Sequence, residues 1–259
     1  MRIVTWNVNS LRARLPRVLE LLDQQRPDVV CLQETKCAPE DFCVQELERA
    51  GYHSVHHSAG PWAGVAILAR EPLTDPVAGL PGESRADEAR WVEATVAGLR
   101  VCCAYVTNGR EVGSEWFDAK LTFLDAVADR ARQLRDTPMI LAGDFNVTRE
   151  DRDVYDPAAF VGSTHVTAQE RERLERIIDA ADLRDAYRFL HPDAQQFTWW
   201  DYRMGAFHRG LGLRIDYVLL SRRLADGLEQ CGIERDFRKG SKPSDHAPLA
   251  AVLRPGPVD

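Results

Sequence analysis

The sequence holds no two Cys-x-x-Cys segments, so a structural zinc site of the usual spacing is not expected. Its six cysteines are Cys31, Cys37, Cys43, Cys102, Cys103 and Cys231. Cys31 and the adjacent Cys102 and Cys103 sit inside apolar runs, which reads as reduced, buried thiols in a reducing compartment. No apolar run approaches the roughly 20 residues of a membrane span, and the opening MRIVTWNVNS lacks a charged-then-apolar leader. A soluble cytoplasmic protein without a membrane partner is expected, nucleoid-associated if bacterial. There is no low-complexity linker and no fixed-period repeat, so 1–259 is read as one domain. A surplus of positive charge is also missing: 33 Lys and Arg against 40 Asp and Glu give −7. That argues against a chain coating itself in nucleic acid, but it leaves room for a local basic face, because cleft fields depend on charge distribution.

What remains is ordinary globular content, 44% apolar and 28% charged. It is organised around Met139–Asn146, MILAGDFN. The aliphatics of Met139–Ala142 read as a buried strand of a mostly parallel sheet, which stops at Gly143 and delivers Asp144 and Asn146. Two apart on extended backbone, these side chains share a face. The carboxylate can orient or deprotonate water, while the amide binds an oxyanion or fixes the carboxylate; alternatively, both simply close a turn.

Further strands are expected over 3–8, 28–33, 52–57, 64–70, 90–97, 99–106, 214–221, 231–237 and 247–253, with an aromatic segment at 197–200. Helices are expected over 11–25, capped by Ser10, and over 40–50, 116–135 and 168–181. Strand–helix–strand units followed by clustered strands fit an α/β fold of two packed sheets with helices outside better than one doubly wound sheet.

Polar residues end these runs: Asn7, Glu34, Tyr105, Asp144, Asn146, Asp216, Asp245 and His246. Alone, each has a bland reading as a turn, a solvated strand end or a half-buried aromatic. Converging, they make a site. Carboxylates and amides around Glu34 suit a hard cation, Mg²⁺ or Mn²⁺, rather than zinc. His246 against Asp216 suits an imidazole held in its charged form to bind a phosphoryl oxygen, leaving Asp144 to activate water. A second metal cluster at His53, His56 and His57 is disfavoured, since alternation puts His56 and His57 on opposite faces.

WNVNS (6–10), LQETK (32–36), GDFN (143–146), FTWWDYR (197–203), GLRIDYVLLS (212–221) and SDHAP (244–248) together resemble the exonuclease III family of abasic-site endonucleases. The resemblance implies a four-layer α/β sandwich, two mixed β-sheets packed face to face with helices on both outer sides. It implies a Mg²⁺-dependent enzyme, with Mn²⁺ able to substitute, that cuts double-stranded DNA 5′ to an abasic site and processes blocked 3′ ends. A monomer is expected. Glu34 would be the principal metal ligand, with Asn7 and Asp245 close by. Asp144 would position or deprotonate the water, Asn146 would hold that water or a phosphate oxygen, and Tyr105 would act near the phosphate. His246, paired with Asp216, would bind the scissile phosphate. Trp199, Leu213 and Ile215 match the wall of a pocket for the extruded sugar. Asn108 and Arg110 match backbone contacts, although Thr107 stands where the family often has Pro. Arg203, Arg209, Arg214, Arg238, Lys239 and Lys242 are further candidates for a positive face on DNA. Other phosphoesterases of the same scaffold (a nonspecific DNase, a sphingomyelinase, an inositol-phosphate phosphatase) would share the metal-and-His core without needing the pocket. A catalytically silent DNA-binding homologue is the non-enzymatic alternative.

Overall fold

A computed structural model describes residues 1–254. In chain order its strands are β1 (Arg2–Asn7), β2 (Val29–Gln33), β3 (His53–His57), β4 (Val65–Ala69), β5 (Thr74–Ala78), β6 (Trp91–Val96), β7 (Leu99–Tyr105), β8 (Met139–Asp144), β9 (Leu183–Asp185), β10 (Trp199–Trp200), β11 (Gly212–Leu213), β12 (Asp216–Ser221), β13 (Leu228–Ile233) and β14 (Leu249–Leu253). The longer helices are α1 (Leu11–Gln25), α2 (Val44–Arg49), α3 (Glu115–Gln133) and α4 (Ala168–Ala180), followed by the single-turn α5 (Ala186–Leu190). Two mixed six-stranded sheets form, in the orders β13-β14-β1-β2-β4-β3 and β5-β6-β7-β8-β12-β9.

Strand alternation builds the layers. Ile3, Cys31 and Ile67 of the first sheet meet Val92, Cys103, Ile140 and Val218 of the second in one core. The opposite face of the first sheet, with Val4, Trp6 and Leu32, packs on Val18, Leu21 and Leu22 of α1. The outer face of the second, with Cys102, Leu141 and Tyr217, packs on Leu124 and Val127 of α3 and Leu174 and Ile177 of α4. Adjacent Cys102 and Cys103 thus serve different layers, and both are free, buried thiols. Helix–sheet–sheet–helix is the four-layer sandwich expected. Among the described residues no helix is long and apolar enough to cross a membrane.

Local chemistry sets the element ends. Ser10 accepts from Ala13 N at the start of α1, Ser114 from Phe117 N at α3, and Thr167 and Glu170 close a capping box at α4. Gly143 has a steric cause: a Cβ there would lie 1.9 Å from the Ala104 carbonyl oxygen of the paired strand.

Register then gathers the chemistry. Asn7 ends β1 opposite Gln33, so Glu34 follows at the carboxyl end of the parallel neighbour. Tyr105 pairs with Asp144 at the ends of parallel β7 and β8, and Asp216 pairs with Asp144 from antiparallel β12. Carboxyl ends of parallel strands from both sheets therefore open at one edge, where α/β proteins hold their ligands.

Several expectations change. Residues 40–50 are a 3-10 turn at Pro39–Asp41 and then α2, because Phe42 turns inward and stacks on His56 at 4.0 Å. The strand expected over 231–237 is β13 followed by a 3-10 turn, Arg235–Arg238. Edge strand β5 and the pair β9–α5 were not anticipated.

Candidate active site

Asp144 is the hub. Its Oδ2 accepts from Asn7 Nδ2 at 2.9 Å and Asn146 Nδ2 at 3.3 Å, and its Oδ1 accepts from Asn146 N at 2.9 Å. Asp144 and Asn146 do face each other, though not along one extended strand. Asn146 has a φ of 51°, in the left-handed region, so the chain turns there and the amide folds back on the carboxylate. Asn146 Nδ2 also donates to Val106 O at 2.8 Å.

Asn7 Nδ2 bridges to Glu34 Oε1 at 2.8 Å, and its own Oδ1 is taken by Asn9 N. The Tyr105 hydroxyl donates to the same Glu34 oxygen at 2.9 Å. Burial, and next the Glu34 charge, hold this phenol well above its usual pKa, so it stays a donor. Lys36 Nζ lies 2.6 Å from Glu34 Oε2 and donates to Asn9 Oδ1 at 2.7 Å. Glu34, Lys36 and Asn9 all have positive φ, and backbone bonds from Ser10 N to Glu34 O and from Thr35 N to Gly64 O hold that strained turn.

On the other flank, His246 Nδ1 meets Asp216 Oδ2 at 2.9 Å, while its Nε2 lies 3.6 Å from Asp144 Oδ2. Burial alone would lower this imidazole's pKa; the Asp216 and Asp144 charges overcome it and raise it to about 10. The imidazolium is therefore the resident form. Burial, reinforced by Asp216 and Glu34 against the pull of His246, lifts Asp144 to about 8. Neighbouring carboxylates raise both values, against burial at His246 and alongside the larger effect of burial at Asp144. Asp216 Oδ1 is buried without a hydrogen-bond partner. Glu34, Asp144 and His246 offer ligand atoms within 4.8 Å of one another, the one such group among the described residues. An oxygen-rich, anionic donor set of this kind fits a hard divalent cation.

Asp245 stands one step out, accepting from Asn9 Nδ2 and Trp199 Nε1, both at 3.0 Å. Trp199 pairs with Leu213, and both join Ile215, Val154, Phe160 and Val166 in a small apolar wall. Leu213 and Ile215 are buried in it, whereas Trp199 is part-exposed. Asn108 and Arg110 are exposed on the loop after β7, and Arg209 is exposed beyond Met204.

The late basic cluster does not form one face. Arg214 is fully buried on Asp153 and Asp185, and Arg238 is buried with donors on Trp200 O and Asp245 O. Arg203 and Lys239 are exposed but paired with Asp201 and Asp236. Hydropathy marks all four as surface residues, which holds for Arg203 and Lys239; the two carboxylates around Arg214 and the backbone carbonyls around Arg238 were the missing information.

Two residues behind the site escaped the sequence reading. Lys120 is fully buried and donates to Asn146 O at 2.7 Å, to Asn108 O at 3.3 Å and to the Glu170 carboxylate. His165, at a φ of 78°, places Nδ1 2.5 Å from Asn146 O, while its N–H donates to Glu170 Oε1. Burial, then the Lys120 charge, lowers its pKa to about 4, so it is neutral. The TAQE capping box at 167–170 was the available signal that this loop is fixed.

The chain is similar to known proteins over nearly its whole length. The endonuclease/exonuclease/phosphatase family matches residues 4–246. A relative named exodeoxyribonuclease III, from Haemophilus influenzae, is 32% identical, covering 98% of this chain and 100% of its own length. The solved structure of the 3′ phosphatase NExo from Neisseria, bound to product DNA hairpin, has a TM-score of 0.95 and 36% identity, over 98% of this chain and 99% of that one. An AP endonuclease from Archaeoglobus fulgidus gives 0.93 and 34%, with the same coverage.

Proposed function

We propose that this chain, which belongs to the endonuclease/exonuclease/phosphatase family, is a DNA-repair nuclease that hydrolyses the phosphodiester 5′ to an abasic site and also processes 3′ ends. The observation that carries this reading is the convergence of Glu34, Tyr105, Asp144 and the Asp216–His246 pair at one edge of the two sheets, next to the apolar wall of Trp199, Leu213 and Ile215.

Each group then has a task set by its surroundings. Asp144 positions the attacking water and accepts its proton, with its rotamer fixed by Asn7 and Asn146. His246, kept charged by Asp216, donates through Nε2 to a nonbridging phosphate oxygen. The Tyr105 hydroxyl, a held donor, sits at the same centre. Glu34 would hold Mg²⁺, with the Asp144 carboxylate the nearest other oxygen donor; the ion would supply charge stabilisation for the developing phosphorane and leaving oxygen. Asp245, bound to Asn9 and Trp199, connects the metal side of the cleft to the pocket wall. A sugar without its base is small and easily extruded, so a tight apolar wall admits it and excludes normal nucleotides.

The test is a duplex carrying one tetrahydrofuran abasic analogue beside an intact duplex and a 3′-phosphate end, each with Mg²⁺ and with chelator. A Mg²⁺-dependent nick 5′ to the analogue is expected. An intact analogue strand with the 3′-phosphate removed would move the reading to 3′-end processing alone.

Two variants probe the parts. Glu34→Gln should raise the Mg²⁺ concentration for half-maximal nicking by roughly tenfold or more; an unaltered metal titration would remove Glu34 from the ligands. Trp199→Ala should lower preference for abasic over intact duplex by about 10-fold, the worth of one apolar pocket contact, with 3′-end removal less affected. Equal losses on both substrates would show that the wall does not read the lesion.

A further inference from the structure

The loop after β7 carries an arrangement outside the catalytic cleft. Trp116, near the start of α3, has the guanidinium carbon of Arg85 3.4 Å from its ring centroid and that of Arg110 at 3.5 Å. Two planar cations so close to one centroid must lie on opposite faces, since on one face their carbons would nearly coincide. The indole is sandwiched.

The two arginines differ in what else they touch. Arg85 donates to Glu88 Oε1 at 2.8 Å, and Glu88 Oε2 accepts from Arg90 Nε at 2.6 Å. Arg90 in turn lies over the Tyr105 ring at 4.7 Å. Arg85 is thus ion-paired and, through Glu88 and Arg90, tied to the strand that carries Tyr105. Arg110 is not. Its backbone N–H donates to Asn108 Oδ1 at 2.8 Å, at a φ of 53°, but its guanidinium has no ion-pair or hydrogen-bond partner among the described residues. Glu111 and Glu115, its neighbours in sequence, do not pair with it. A stacked guanidinium has its plane fixed while its N–H edges stay free, the form suited to bidentate capture of a phosphate.

We propose that Trp116 is a positioning residue that holds Arg110 as a preformed clamp on a backbone phosphate of the bound duplex, with Arg85 and Glu88 bracing the ring from behind. The proposal rests on DNA being the substrate. The ligand is a phosphodiester of the DNA strand, away from the scissile one. Stacking fixes the arginine before DNA arrives, so less freedom is lost on binding.

The experiment uses the full chain with Arg110→Gln, Trp116→Leu and the double variant. Nicking of the abasic duplex gives KM and kcat, and binding in chelator across a salt series gives the ionic slope. Each single variant should raise KM by roughly 3- to 10-fold with little change in kcat, and should reduce the salt slope by about one. The double variant should be no weaker than the weaker single, because the indole acts through Arg110. Trp116→Phe, which keeps a ring face, should recover part of the loss. Additive losses, or an unchanged KM and slope, would overturn the proposal; so would a kcat that falls in step with melting temperature, which would make the stack merely structural. Wild-type protein that neither nicks nor binds duplex would instead refute the proposed function, whatever the variants do.

Discussion

Asp144→Asn is expected to lower kcat on the abasic duplex by about 10²–10⁴-fold, the usual worth of a positioned general base, while duplex binding is retained. An amide has the carboxylate's shape but cannot accept the water's proton. Binding should hold, and should tighten relative to wild type as pH rises past about 8, where the wild-type carboxylate is charged against the phosphate and the amide is not. Stability should move little. Asp144 is 1% exposed and lies with Glu34 and Asp216 in a carboxylate-rich cluster, so its charge is a cost to the folded state. Against that gain, the new amide gives up one acceptor, facing either Asn7 Nδ2 or Asn146 N. Single-turnover nicking, binding in chelator and a melting curve test this together. Lost turnover with intact binding and melting would support Asp144 as the base. Unchanged turnover would assign proton transfer elsewhere, and a fall in melting temperature matching the activity loss would make Asp144 structural.

The same residue shows what a sequence can carry. The aliphatic run before it and the polar pair after it were legible because a buried strand must be apolar and its end need not be. The reason for Asp144 and Asn146 meeting was not legible: it is a left-handed turn at Asn146, stabilised by the contact itself. Register was equally hidden, and register is what sets Tyr105 and Asp216 on either side of Asp144. The elements that escaped were those without hydrophobic periodicity. Strand β5 is wholly exposed, and β9 is Leu183–Arg184–Asp185, where the inward carboxylate is satisfied by a distant arginine. Lys120 looks like a solvated helix residue until Glu170 and two carbonyls surround it. Hydropathy assigns charge to the surface, so buried ion pairs are where it fails.

Arg214 is the sharpest case, and its replacement should have the largest effect on stability. It reads as a DNA contact between Leu213 and Ile215, yet it is 0% exposed. Its Nε and Nη2 clasp Asp153 at 2.7 and 2.9 Å, and Nη1 reaches Asp185 at 2.8 Å. The guanidinium carbon lies 4.7 Å from the ring centre of Tyr217 and 5.6 Å from that of Tyr187. Asp153 keeps Arg188 if Arg214 goes, but Asp185, which also caps α5 by accepting from Arg188 N, loses its salt bridge. Arg214→Leu should therefore cost about 3–5 kcal/mol, the penalty of leaving buried charge uncompensated. In a chain of this size that lowers the melting temperature by roughly 10 °C. Arg214→Lys should rescue little, since an ammonium cannot make the two-pronged bond and the third contact together. The pH dependence adds an independent check. Burial would raise Asp153, but the Arg214 and Arg188 charges outweigh it and hold the carboxyl below its usual value. Its contribution is present above about pH 4 and is lost as pH falls through the depressed folded value. Wild type should thus lose stability in that acid window more steeply than Arg214→Leu, which keeps only the smaller share that Arg188 supplies. Parallel acid limbs with a large melting difference would mean that Arg214 acts by packing between the two tyrosines. A small difference would mean that Asp153 and Asp185 find other partners when it is gone.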